Sequence, residues 1–255
     1  MIHRAKKSLG QNFLKSEAAL RQIIEAGEIK KSDVILEIGP GKGALTEKLL
    51  ENSSLVIAVE KDKDLYKLLK NKFEKEILLN KLNLICDDIL DFKIENYKPE
   101  AKSYKLIANI PYNITGAILK KFLTEKHQPE LMVLMVQHEV ATRILARDGK
   151  ESILSISVKA YGEPKLVAKV DKRYFSPAPK VNSAIISIKN ISRKIFEENK
   201  INEDKFWEIV KAGFAHKRKK LSGNLKNLWE GQSSLDYKDK RAEDLTLKDW
   251  ILLSK

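Results

Sequence analysis

The sequence predicts an α/β protein: a mostly parallel sheet with helices on both faces and one added antiparallel strand, followed by a small all-helical domain. Three observations predict it. Short apolar runs alternate with helical patterns over about the first 150 residues; a three-glycine turn joins the first of these runs to a helix; and strand patterns stop near Asn190. The boundary is placed between residues 189 and 190, giving units 1–189 and 190–255.

In chain order, Val34–Ile38 is the first strand, followed by Gly39, Gly41 and Gly43 and a helical pattern carrying Ala44, Leu45 and Leu49. Leu55–Glu60 is the second, ahead of a helix with Leu65, Leu68 and Leu69. Leu82–Cys86, Lys105–Asn109 and Leu131–Val136 supply three more, the last leading into a helix with Val140, Ile144 and Leu145 on one face. In "SILSISVKAY", Leu154, Ile156, Val158 and Ala160 alternate with Ser155, Ser157 and Lys159, which predicts a half-exposed strand. The loop "YFSPAPK" then leads to a strand at Val181–Ile188. Asn202 caps a helix whose first turn carries Glu203 and Asp204, with Phe206, Ile209, Val210, Gly213 and Phe214 at helical spacing. "RAEDLTLKDWILLSK" is a further helical pattern.

Composition narrows the function. The chain has 48 Lys and Arg against 35 Asp and Glu, a net charge of +13. Abundant lysine alone fits thermal adaptation, but an excess of cations over anions attracts a polyanion through counterion release. No apolar run approaches the roughly 20 residues that span a bilayer, and the basic start "MIHRAKKSLGQNFL" lacks the apolar stretch of a secretory signal. Cys86 is the single cysteine, which excludes an internal disulfide and a multi-thiolate zinc site. The expectation is a cytoplasmic protein without metal or membrane contact.

"VILEIGPGKGALTEKL" is a strand, a glycine turn and a helix. Glycines there allow positive φ and close ligand approach, and a helix N-terminus offers unpaired N–H groups. The spacing is G-x-G-x-G rather than the dinucleotide G-x-G-x-x-G. Glu37 lies just inside the strand end. Glu60 follows Gly39 at about the spacing where a carboxylate reaches a ribose diol, and Asp88 follows the third strand, placed to accept from an adenine amino group. A nucleoside along this row of strand ends is one reading; an ordinary turn with solvated strand-end carboxylates is the other.

"EIGPGKGALT", "VIAVEKD", "CDDIL" and "NIPYNIT" resemble, in that order, the motifs of Rossmann-like class I S-adenosylmethionine methyltransferases, and most closely the ribosomal RNA adenine N6,N6-dimethyltransferases. "LGQNFL", "YFSPAPKVNSAII" and "VKAGFAHKRKKLSGNLK" are similar to that family's N-terminal motif, its F-x-P-x-P-x-V-x-S segment and its C-terminal basic helix. The resemblance implies S-adenosylmethionine as cofactor, held by Asn12, Leu14, Gly39, Gly41, Glu60, Lys61, Asp88, Ile89 and Asn109. It implies a monomer acting on small-subunit ribosomal RNA in the immature 30S subunit, with dimethylation of two adjacent adenosines.

The chemistry of "NIPY" follows from the nucleophile. Adenine N6 is weak because its lone pair is delocalised into the ring. Two acceptors for its hydrogens, the Asn109 side-chain oxygen and the Ile110 carbonyl, hold that lone pair toward the methyl. Pro111 stiffens the segment, and Tyr112 stacks on a base that has left its own stack. Phe175 is placed either on the opposite face of that base or as a plug under its loop. The cations Arg4, Lys6 and Lys7, and Lys217, Arg218, Lys219 and Lys220, either contact RNA phosphates or form solvated faces. Three alternatives remain: a large-subunit ribosomal RNA adenine methyltransferase of the antibiotic-resistance type, a non-catalytic assembly factor, and a DNA adenine methyltransferase.

Overall fold

A computed structural model describes residues 4–97, 103–226, 228 and 237–255. The chain forms two compact units, Met1–Ala141 with Lys165–Ile191, and Thr142–Pro164 with Ser192–Lys255.

The first unit carries a short ladder and a large sheet. In the ladder, β1 (Phe13–Leu14) pairs with β8 (Phe175–Ser176), matching Leu14 to Phe175 and tying the N-terminal segment to the Pro-rich loop. The seven-stranded sheet consists of β2 (Val34–Ile38), β3 (Leu55–Val59), β4 (Leu82–Ile85), β5 (Lys105–Asn109), β6 (Leu131–Gln137), β7 (Glu163–Val170) and β9 (Ser183–Lys189), in the order β4-β3-β2-β5-β6-β9-β7. The pairs from β4 through to β6 are parallel, and β9 runs antiparallel to β6. Consecutive residues such as Leu106, Ile107 and Ala108, or Met132 through Val136, are all fully buried, so the central strands are covered on both faces. The helices α1 (Glu17–Ala26), α2 (Ala44–Asn52), α3 (Lys63–Lys72), α4 (Glu74–Leu78) and α5 (Thr115–Thr124) connect these strands, and α6 (His138–Leu145) follows β6.

The second unit contains α7 (Ile153–Lys159), α8 (Lys194–Asn199), α9 (Glu203–Gly213), α10 (Leu221–Asn224) and α11 (Leu247–Leu253). Asn202 caps α9 by accepting from the Lys205 N–H at 3.0 Å. Gly213 lets α9 approach Trp250, because a Cβ there would collide with the indole. No helix among the described residues is long and apolar enough to cross a membrane.

The stretch expected as a strand at Leu154–Ala160 is helix α7. Ser152 and Ser155 form a reciprocal capping box, with Ser155 N–H donating to Ser152 Oγ at 3.1 Å and Ser152 N–H to Ser155 Oγ at 2.7 Å. That local capping outweighs the alternating pattern. The strand lies further on, at β7, which begins with a Pro at its second residue and is an edge, as its lack of a donor requires.

Candidate functional site

Parallel pairing brings Ile38, Val59, Ile85 and Asn109 to one end of the sheet, and the residues that follow them line one cleft. Asn12, Leu14, Gly39, Gly41, Glu60, Lys61, Asp88, Ile89, Asn109, Ile110, Pro111 and Tyr112 all line it. The cofactor residues inferred from five separate motifs therefore share a single cavity.

The glycine turn is tight. Gly41 has φ +62° and donates its N–H to Glu60 Oε2 at 3.1 Å, and a Cβ at this position would meet the Phe13 ring at 3.0 Å. Gly43, with φ +79°, starts α2, where any Cβ would strike Phe73 at 2.5 Å. Glu60 is buried, and its Oε1 accepts the Asp62 N–H at 2.9 Å. Two backbone donors thus fix this carboxylate at the end of β3. Across the cleft, Asp88 accepts from Lys61 Nζ at 2.5 Å and from the Leu90 N–H at 3.0 Å, and the lysine with that N–H holds its carboxyl below the ordinary range.

The stretch Asn109 to Tyr112 carries no formal charge. Asn109 ends β5 and donates its Nδ2 to the Asn12 carbonyl at 3.2 Å. This bond assigns the amide orientation: the nitrogen is engaged and the oxygen is the available end. Pro111, at φ −60° and ψ 129°, turns the chain out of the strand. Tyr112 is anchored through its hydroxyl to Ser183 Oγ at 2.5 Å, and burial raises its pKa against the opposing effect of that hydrogen bond. Gly10, at φ +63°, brings the N-terminal segment against this loop, since a Cβ there would lie 3.1 Å from Asn113 Oδ1.

The sequence profile of the family described as ribosomal RNA adenine dimethylase matches residues 2–253. The chain belongs to that family. It is 40% identical over 258 residues to the ribosomal RNA small subunit methyltransferase A of Dehalococcoides mccartyi, covering 97% of this chain and 86% of the relative. Among solved structures it is similar to a dimethyladenosine transferase from Plasmodium falciparum, with TM-score 0.80, 28% identity and coverage of 94% and 95% of the two chains. The 23S rRNA methyltransferase ErmE shares the fold, with TM-score 0.75, 24% identity and coverage of 95% and 98%. As a family member this dimethylase is a methyltransferase dependent on S-adenosylmethionine.

The cleft of this dimethylase fits such a cofactor. Glu37, 1% exposed, lines it, and its Oε2 has no hydrogen-bond partner among the described residues. Burial, with the nearby Glu60 charge, pushes its pKa up to about 8. A ligand that carries positive charge, as S-adenosylmethionine does, would offset that burial and favour the ionised form of a carboxyl whose one oxygen is unengaged. The sequence placed Glu37 beside the turn without giving it a role; the signal available was an acidic residue inside an otherwise apolar strand.

Other expected site residues sit elsewhere. Phe175 is 2% exposed and packs in the same hydrophobic cluster as its strand partner Leu14, so its ring plugs the loop and lines no part of the cleft. Lys6 is not a free surface cation: its Nζ donates to Asp62 at 2.7 Å and Asp64 at 2.8 Å. Arg4 and Lys7 are exposed. Lys217, Arg218, Lys219 and Lys220 are exposed in a turn after α9 rather than on a helix, and Lys220 pairs with Asp239 at 2.7 Å. Asn224 Nδ2 secures that turn through the carbonyls of Gly213 at 2.6 Å and His216 at 3.2 Å.

Proposed function

We propose that this dimethylase transfers methyl groups to N6 of two adjacent adenosines in a loop near the 3′ end of small-subunit ribosomal RNA, acting as a cytoplasmic monomer on the immature 30S subunit. The small-subunit target is supported by the name of the 40%-identical relative; the likeness to ErmE, at 24% identity, speaks for the fold alone. Residues 1–189 would carry the chemistry and 190–255 would contact RNA.

The observation that carries the mechanism is the Asn109 amide. With its nitrogen engaged by the Asn12 carbonyl, its oxygen is left to accept one N6 hydrogen, and the Ile110 carbonyl accepts the other. The N6 lone pair is then directed out of the ring plane, toward the methyl that the cofactor supplies. Tyr112, fixed at its hydroxyl by Ser183, offers a ring face worth roughly 1–3 kcal/mol of stacking. No side chain in this loop is a strong base. The N6 cation formed by methyl transfer is acidic and loses its proton to water. Most of the acceleration is in-line positioning of nitrogen and methyl.

On the cofactor side, Glu60 binds the ribose hydroxyls and Asp88 the adenine amino group, with Lys61, Ile89, Gly39, Gly41, Asn12 and Leu14 completing the walls. Arg4 and Lys7, and Lys217 to Lys220, position RNA phosphates. Primer extension on small subunits lacking the modification tests the proposal. Two adjacent stops near the 3′ end are expected after incubation with enzyme and S-adenosylmethionine, and their absence, or modification of large-subunit RNA instead, would overturn it.

A further inference from the structure

The N-terminal wall of the cleft, residues 8–14, is a strap fastened at both ends. At its far end Leu14 is laddered to Phe175 in an apolar setting. Its near end is polar and converges on one side chain. Asp62 is buried, with a side-chain exposure of 0%. Its Oδ1 accepts from Lys6 Nζ at 2.7 Å and from the Asp64 N–H at 3.0 Å, while Oδ2 accepts from Gln11 Nε2 at 2.7 Å. The Lys6 N–H closes the loop by donating to Gln11 Oε1 at 2.7 Å. On its other side the Asp62 N–H donates to Glu60 Oε1.

We propose that Asp62 is a positioning residue for the cofactor: it holds the Gln11–Leu14 strap over the cleft and, through its backbone, sets the carboxylate of Glu60. This rests on the cleft being the S-adenosylmethionine site. Asp62 does not line the cleft, so it acts only through residues that do. It is also more than a helix cap. The Asp64 N–H at the start of α3 needs one acceptor oxygen, whereas the two oxygens together meet an ammonium and an amide 51 to 56 residues away in sequence. Burial opposes the charge, but hydrogen bonds from Lys6, Gln11 and the Asp64 N–H outweigh it and keep the carboxyl below its ordinary range.

The substitution D62N separates the two roles. Asparagine keeps one oxygen for the cap and for Lys6, but turns an NH2 against the Gln11 NH2, a donor facing a donor. The double variant Q11E/D62N restores the pair. The carboxylate introduced at position 11 accepts from the amide introduced at position 62, and its second oxygen still takes the Lys6 N–H. Net charge is conserved. Calorimetric titration with S-adenosylmethionine should show D62N binding about 10-fold more weakly, the scale expected for an unmatched buried polar group, with Q11E/D62N recovering to within about threefold of the parent. In steady-state assays the loss should fall on the cofactor KM rather than on kcat or the RNA KM. An unchanged cofactor Kd in D62N, a lowered melting temperature alone, or a double variant no better than the single would overturn the proposal. The titration needs no RNA, so its result is independent of which adenosines are the target.

Discussion

The two sides of the cleft are built from opposite materials. On one side carboxyl groups dominate: Glu37, Glu60 and Asp88 line it, the first two buried and the last two held by backbone donors or a lysine, while the buried Asp62 supports Glu60 from outside the lining. On the acceptor side, a stretch of four residues offers an amide, a carbonyl, a rigid ring and an aromatic face, with no formal charge. The difference follows from what each must hold. The cofactor is cationic and polar, so its proposed partners are the Glu60 and Asp88 carboxylates and backbone N–H groups. The adenine N6 is neutral and poorly nucleophilic, and a nearby charge would do less for it than the orientation of two hydrogens.

That contrast can be broken by substitutions on either side. The largest effect is expected for Asn109→Ala, which removes an N6 acceptor: transfer should fall by about 10²–10³-fold, with cofactor titration changed only slightly through the lost contact to Asn12. Retained turnover would sink the acceptor mechanism. Next, replacing Lys217, Arg218 and Lys219 together by Ala should weaken RNA binding in a salt-dependent way, reducing the slope of log affinity against log salt by up to about 3. Cofactor affinity should not change. A smaller effect concerns pH. Because the folded value of Glu37 is raised from the ordinary 4.5 to about 8, its neutral form favours the fold, and that contribution is lost as pH rises from 4.5 toward 8. The cofactor-free parent should therefore lose stability from this group over that window, by at most roughly 5 kcal/mol. Denaturant unfolding of Glu37→Gln should show a correspondingly flatter profile; equal slopes would show that burial does not perturb the group.

Much of this site was legible in the sequence because its residues lie at strand ends marked by local signals. Gly39 to Gly43 could be read from the turn, Glu60 and Asp88 from their place after apolar runs, and Asn109 to Tyr112 from an abrupt change of composition. The contacts of Lys6 and Gln11 with Asp62 could not, since they depend on which loop folds over which strand, and no periodicity encodes that. The direction of Phe175 was hidden for a related reason. A motif names the residue, but its pairing with Leu14 in a ladder two residues long decides which way the ring faces. Helix α7 was misread because an apolar alternation spoke louder than the two serines that cap it. The sequence placed one boundary between residues 189 and 190, whereas contacts group Thr142–Pro164 with Ser192–Lys255; such a grouping joins segments distant in the chain, which no local pattern encodes.

The ion pair between Lys61 and Asp88 gives the cofactor an internal competitor. If the adenine amino group is to reach Asp88, it must share or displace an ammonium already seated there, so binding is an exchange rather than the filling of a vacancy. Salt weakens such an exposed pair, so added salt eases the exchange at Asp88 while it screens the attraction between the cationic cofactor and the cleft carboxylates. The salt dependence of cofactor binding should therefore be shallower than that of RNA binding, where screening acts alone.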